Sequence, residues 1–355
     1  MVPPTPRPLV PSSFQRILVF SAAGIGDTLT DSVAIRALKE SFPKARIHVV
    51  THRRRRVIAD HNPYIDEVIP YYKSLLAFPG FAWRLRRWRP DVVVMLRGND
   101  PDLWPTAYIA QRHAVVSCPR MTQFSFLISH PVSLPKWDET HGVEQTLEIV
   151  RTIGADCKDQ GLVYKVRAEE IQAFQKKWKI PSKPSVVFQV GGGGRSRWRD
   201  WPVESFVELA RWLLQRYDVN LFLSGGVDLI PKARAVAQGL PQAVNLVGQL
   251  SLSETAALLA SSKILVSTDT GIMHLGFAVG IDTLALIHCN NPASRVGPYG
   301  YGNKHRVAQL VPPPGRKPDK TVDMRGITVP QVTTLLDELC KRHMHSHGEQ
   351  VHHRS

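Results

Sequence analysis

The chain has 355 residues, 43% of them hydrophobic, which suits two domains with cores of ordinary size and excludes a disordered polypeptide. No apolar run reaches the roughly 18–20 residues needed to cross a bilayer. Lys and Arg number 45 against 30 Asp and Glu, a net charge of +15 that points to polyanionic partners: nucleic acid, anionic headgroups or phosphorylated substrates.

The first 14 residues open on the Pro-rich MVPPTPRPLVPSSF, lack an apolar signal-peptide core and read as a disordered leader. A first α/β domain is expected over 15–175. Ile17–Phe20 is a buried-strand run, followed by a small-residue turn, Ser21–Gly26. Leu29, Val33, Ile35 and Leu38 have helical spacing that stops before Pro43. Further strands are expected at RIHVVTH (46–52), DEVIPY (66–71), DVVVML (91–96) and HAVVSC (113–118). Two basic runs interrupt them, HRRRR (52–56) and WRLRRWR (83–89). Trp83 and Trp88 interleaved with arginines favour a surface that meets an anionic interface over a merely solvated face.

A helix at AEEIQAFQKKWKI (168–180) and the break PSKP (181–184) precede a second α/β domain over 184–335. Its strands are expected at 185–190, 219–224, 243–248, 263–268 and 282–288. Helices are expected at 203–217 and, capped by Ser251 or Ser253, at SLSETAALLASS (251–262). A last helix spans VPQVTTLLDELCKRH (329–343), and the His-rich stretch 342–355 reads as a flexible tail. Alternating strands and helices specify doubly wound parallel sheets, whose ligands sit outside the carboxyl ends of the strands. The four cysteines are far apart in sequence and follow no metal or redox spacing, consistent with a reduced, cytoplasmic chain.

Three stretches carry chemistry. In GIGDTLTD, Asp27 opens the first helix, where it either caps that helix or takes a proton from an attacking hydroxyl. Gly191–Gly194, then Arg195, Arg197 and Arg199, form either a flexible loop or a backbone cradle for phosphate with cations to neutralise it. No Walker lysine follows the glycines, and GIGDTLTD does not fit the dinucleotide pattern G-x-G-x-x-G. In STDTGIMHL, Asp269, Thr270 and Gly271 stand where a strand meets a helix N-terminus, a place that favours an anion, although Asp269 alone also suits an N-cap. His274 lies one turn further on and can face the same ligand, or be structural. No RNA-binding signature accompanies the charge, so nucleic acid is not an expected partner.

Together GIGDTLTDSVAIRALKESFPKARIHVVTH, RDWPVESFVELARWL and VGQLSLSETAALLASSKILVSTDTGIMHLGFAVG resemble glycosyltransferase family 9, the family of ADP-heptose:lipopolysaccharide heptosyltransferases, over about residues 15–335. The resemblance implies a GT-B fold, two Rossmann-like doubly wound domains facing across a cleft, the first for the acceptor and the second for the nucleotide sugar. It implies inverting transfer of heptose from ADP-heptose to the lipopolysaccharide inner core or another phosphorylated glycan, on Kdo or heptose, with no metal ion and no other cofactor. Another nucleotide sugar or acceptor is the alternative, and a protein of this shape that binds nucleotide sugar without turning it over is a further one. Asp27 matches the catalytic base. Gly194, Arg195, Arg199, Asp228, Asp269, Thr270, Gly271 and His274 match donor-binding positions, and Gly26 and Lys73 fall on the acceptor side. Arg199 stands where the family usually has lysine, and the glycine run replaces a Thr/Ser-rich loop. The resemblance also implies a cytoplasmic enzyme in peripheral contact with the anionic inner face of the membrane.

Overall fold

The computed structural model describes residues 14–72, 78–98, 100–119 and 122–344, and the chain divides between Lys165 and Val166 into two units. In the first, β1 (Arg16–Ala22), α1 (Ile25–Ser41), β2 (Arg46–His52), the single turn α2 (Arg56–Ala59), β3 (Glu67–Tyr71), α3 (Phe78–Arg87), β4 (Val92–Gly98), α4 (Leu103–Ala110), β5 (Val115–Ser117), β6 (His130–Pro131) and α5 (Gly142–Arg151) follow in order. The strands pair in parallel in the order β3-β2-β1-β4-β5-β6. Unbroken apolar runs in β1 and β4 suit strands covered on both faces. Leu18, Phe20, Val93 and Met95 pack with Leu85 of α3 and Leu103, Trp104 and Ala107 of α4. The alternate residues face α1, which is buried from Thr28 to Leu38 and packs on α5.

One irregularity matters for the site. Phe20 pairs with Met95, but the next pair is Ser21 with Arg97, so Leu96 is an extra residue on β4. Strict alternation would put Arg97 on the same apolar side as Val93 and Met95. The bulge turns it to the α1 side instead.

The second unit runs α6 (Ala168–Trp178), β7 (Ser185–Gln189), α7 (Val203–Arg216), β8 (Asn220–Ser224), α8 (Ile230–Gln238), β9 (Val244–Asn245), α9 (Leu252–Ala260), β10 (Ile264–Thr268), α10 (Gly271–Val279), β11 (Asp282–Ile287), the single turn α11 (Ala293–Val296), β12 (Arg306–Gln309) and α12 (Val329–Cys340). Its sheet, also parallel, has the order β12-β11-β10-β7-β8-β9. Counted from the first strand of each unit, the two windings are the same. Trp201 is fully buried, meets Phe206 edge-on and donates from Nε1 to the Ile327 carbonyl at 2.8 Å.

Several boundaries differ from the sequence reading. α6 belongs with the second unit: Phe174 is buried and Lys177 Nζ donates to Glu254 Oε1 of α9 at 2.6 Å. Phe14, expected in the leader, is buried edge-on to Phe42. Residues 194–199 form a 3-10 helix inside the expected loop. The edge strand β12 has too mixed a sequence, RVAQ, to declare itself. Of the stretch assigned to a flexible tail, Arg342 Nη1 and His343 Nε2 reach Asp282 Oδ2 at 3.4 and 3.1 Å, while 345–355 lie outside the described residues, as do leader residues 1–13. All four cysteines are buried thiols. Among the described residues no helix is long and apolar enough to cross a membrane.

Candidate active-site residues

In a doubly wound sheet a crevice opens outside the carboxyl ends of the strands where the winding reverses. That point lies between β1 and β4 in the first unit and between β7 and β10 in the second. The candidate residues that the structure describes gather at these two places, each within its own unit.

In the first unit, α1 starts from the N-cap Gly24, and Asp27 is the third helical residue. Its Oδ2 accepts the Gly24 backbone N–H at 3.2 Å, so the helix-capping reading holds. The other oxygen of this half-buried carboxylate has no hydrogen-bond partner among the described residues. Gly26 lies in the same turn, and Lys73 falls outside the described residues. Asp31, one turn on and fully buried, escaped the sequence reading. Its Oδ2 accepts from Ser21 Oγ at 2.6 Å and its Oδ1 from Arg97 Nε at 3.3 Å. Arg97 also donates to Gln145 Oε1 at 3.3 Å and to the Gly142 carbonyl at 3.1 Å. Burial, with the Asp27 charge adding to it, pushes the Asp31 carboxyl up to about 6, against the pull of Arg97 and Ser21.

In the second unit the glycine run is shaped by carboxylates. The Gly192 N–H donates to Asp200 Oδ1 at 2.7 Å, so it is not open to phosphate as the cradle reading requires. Lys232 Nζ sits 3.5 Å from Asp200 Oδ2 and donates to the Trp201 carbonyl at 2.7 Å, and its burial lowers the amine's pKa. Gly193 has φ +63°, which side chains rarely adopt, and the Asp228 carboxylate occupies the space a Cβ would need there, so a substitution would be strained and would have to displace that carboxylate. Gly194, φ +48°, opens the 3-10 helix; the Arg195 side chain lies outside the described residues.

Arg199 and Asp269 form the centre of this region. Arg199 Nη1 lies 3.0 Å from Asp269 Oδ2 and donates to the Asp269 carbonyl at 3.1 Å, with the guanidinium 4.5 Å from the Trp198 ring. Arg199 Nε is buried without a hydrogen-bond partner among the described residues. Asp269, 3% exposed, also accepts from Asn291 Nδ2 at 2.7 Å. The N-cap of α10 is therefore not Asp269 but Thr270, whose Oγ1 accepts the Met273 N–H at 3.4 Å. Gly271 is the first helical residue, and His274 is buried edge-on to Phe277. Asp200, Lys232 and Asn291 were not legible as site residues, because their partners are distant in sequence. Among the described residues no group of three His, Cys, Asp or Glu side chains is placed to hold a metal ion.

The structure resembles E. coli ADP-heptose lipopolysaccharide heptosyltransferase II with a TM-score of 0.79 and 20% identity, covering 92% of this chain and 99% of that one. It resembles E. coli heptosyltransferase WaaC with ADP at a TM-score of 0.70 and 19% identity, covering 92% and 100%. These likenesses show the GT-B fold. Lipopolysaccharide heptosyltransferase 1 of Pseudomonas aeruginosa is 26% identical over 310 residues, which are 82% of this chain and 83% of that protein. The model of glycosyltransferase family 9 (heptosyltransferase) matches residues 91–321, well over half of the sequence and including every donor-side position described above. The chain thus belongs to glycosyltransferase family 9.

Proposed function

We propose that the chain is an inverting heptosyltransferase that moves heptose from ADP-heptose to a Kdo or heptose hydroxyl of the lipopolysaccharide inner core. The observation that carries this reading is the Arg199–Asp269 pair beside the amino terminus of α10, a fixed cation and a set of helical N–H groups of the kind a diphosphate needs. Support for the adenine nucleotide and the sugar comes from the relatives, whose names include ADP-heptose, ADP and heptosyltransferase.

In this mechanism Asp27 takes the proton of the acceptor hydroxyl as its oxygen attacks the anomeric carbon opposite the diphosphate. The bond from that carbon to the diphosphate oxygen breaks, and the electron pair leaves with ADP. Arg199 and the α10 N-terminus stabilise the growing negative charge. Thr270 and Gly271 contact the diphosphate with Gly194 and Arg195, Asp228 accepts from the ribose hydroxyls, and His274 orients the donor. Gly26 and Lys73 serve the acceptor, and no metal ion takes part. The acceptor is a membrane glycolipid, which the basic chain meets by peripheral contact at the cytoplasmic face.

The test is calorimetry with ADP, UDP, GDP and CMP in chelator, followed by mass analysis of a Kdo-bearing acceptor incubated with ADP-heptose. ADP preference, weakened by Thr270→Ala, and a heptose-mass product support the proposal. Preference for another nucleotide, or loss of turnover in chelator, overturns the donor or the metal-free step respectively.

A further inference from the structure

Arg16 and Arg46 are the first residues of β1 and β2 and are direct register partners. Like charges placed opposite each other on neighbouring strands repel. Lys44 and Arg87 join them around a hollow of about 430 Å3 whose remaining walls are Gln15 and Trp88. Asp91 Oδ2 accepts the backbone N–H groups of Gln15 and Arg16 at 2.8 and 2.9 Å. Among the described residues Lys44, Arg46 and Arg87 have no ion pair and no side-chain hydrogen bond.

The indole wall is held firmly. Trp88 stacks on His48 with ring centroids 3.7 Å apart and planes 18° from parallel, and its carbonyl accepts from Arg16 Nη1 at 3.2 Å. Burial keeps the His48 ring below its ordinary pKa, against the pull of Glu67 and Asp66 and with Arg46 and Arg16 adding to the effect. This hollow lies at the amino ends of the strands, the opposite end of the sheet from Asp27.

We propose that this hollow is a second anion site, separate from the transfer chemistry, which binds a phosphate group carried on a larger molecule. Cations converging on one concavity match the several oxygens of a phosphate, and the fixed indole edge gives the phosphate's apolar carrier a surface to lie on. An anionic lipid headgroup and a soluble phosphorylated compound present the same chemistry here.

The test follows the Trp88 indole N–H resonance, assigned with Trp88→Phe, during titration with pyrophosphate at low salt, beside flotation with phosphatidylglycerol or phosphatidylcholine vesicles. The variant combines Lys44→Ser, Arg46→Ser and Arg87→Ser. The control combines Lys176→Ser, Arg234→Ser and Lys263→Ser, exposed positions of the second unit that remove the same charge. Saturable pyrophosphate binding that weakens about tenfold or more in the variant and not in the control is the expected result. If phosphatidylglycerol flotation falls in parallel, the ligand is a headgroup; if flotation is unchanged, it is soluble. No saturable shift at Trp88, an unaffected variant, or an equal loss in the control overturns the site.

Discussion

Asp27 illustrates how one carboxylate can hold a helix and still be available for chemistry. One oxygen caps α1 through the Gly24 N–H, and the other has no hydrogen-bond partner among the described residues. The two roles separate by substitution. Asp27→Glu keeps an acid at the capping-box position but displaces the carboxylate, so melting temperature should hold while turnover falls. Asp27→Asn should cost turnover about 10²–10⁴-fold, the usual range for a lost general base. Unchanged turnover in a folded Asn variant refutes the assignment. Arg199→Ala leaves the buried Asp269 with Asn291 as partner and should destabilise by roughly 3 kcal/mol while weakening ADP binding. Thermal melts with and without ADP check both. Asp31 makes a pH prediction. Its carboxyl titrates near 6 in the folded chain, against about 4 when unfolded, so the folded state holds that proton more tightly. Its contribution to stability is full below about pH 4 and declines by roughly 3 kcal/mol as pH rises to about 6. Denaturant melts across this window should show that decline in the parent chain and not in Asp31→Asn.

At the level of elements, the glycine run shows what a sequence discloses and what it hides. The strand before it and the helix after it were readable from apolar spacing, and so was the strand-to-helix junction at Asp269–Gly271. What the glycines are for was not readable. Asp200 takes the Gly192 N–H, and Asp228, some 35 residues beyond Gly193, fills the space above it. Gly193→Ala should therefore lower stability through both its left-handed backbone and the displaced carboxylate, by about 1–3 kcal/mol. Gly192→Ala, free of the φ constraint, is the comparison, with both read by chemical denaturation. The same limit hid the Arg97–Asp31 pair. Each residue was visible in the sequence, but their meeting depends on a bulge, which has no local signature. Edge strands β6 and β12 were missed because they are short and only partly buried, so no apolar run marks them.

On the scale of the whole chain, the two units repeat one winding while dividing the candidate chemistry between them. The base candidate lies in the first, and the glycine run, Arg199 and the α10 N-terminus lie in the second. ADP should accordingly slow amide hydrogen exchange in residues 166–344 around β7, β10 and α10, and leave β1 and α1 unchanged. At about a hundredfold excess over Kd the stabilisation available from binding is about 2.7 kcal/mol. Equal protection of α1 would contradict the division of roles.

The extra residue in β4 has a consequence for how this sequence can vary. Leu96 is the residue the ladder passes over, since Phe20 meets Met95 and Ser21 meets Arg97. Substituting it changes one buried side chain. Deleting it would put Arg97 directly after Met95 and on the opposite face from it, so that it still meets Ser21 and still points to Asp31. A one-residue gap at this position should therefore be better tolerated than one among Val92–Met95, which would turn apolar side chains of that layer to the other face, so length is less constrained at the bulge than before it.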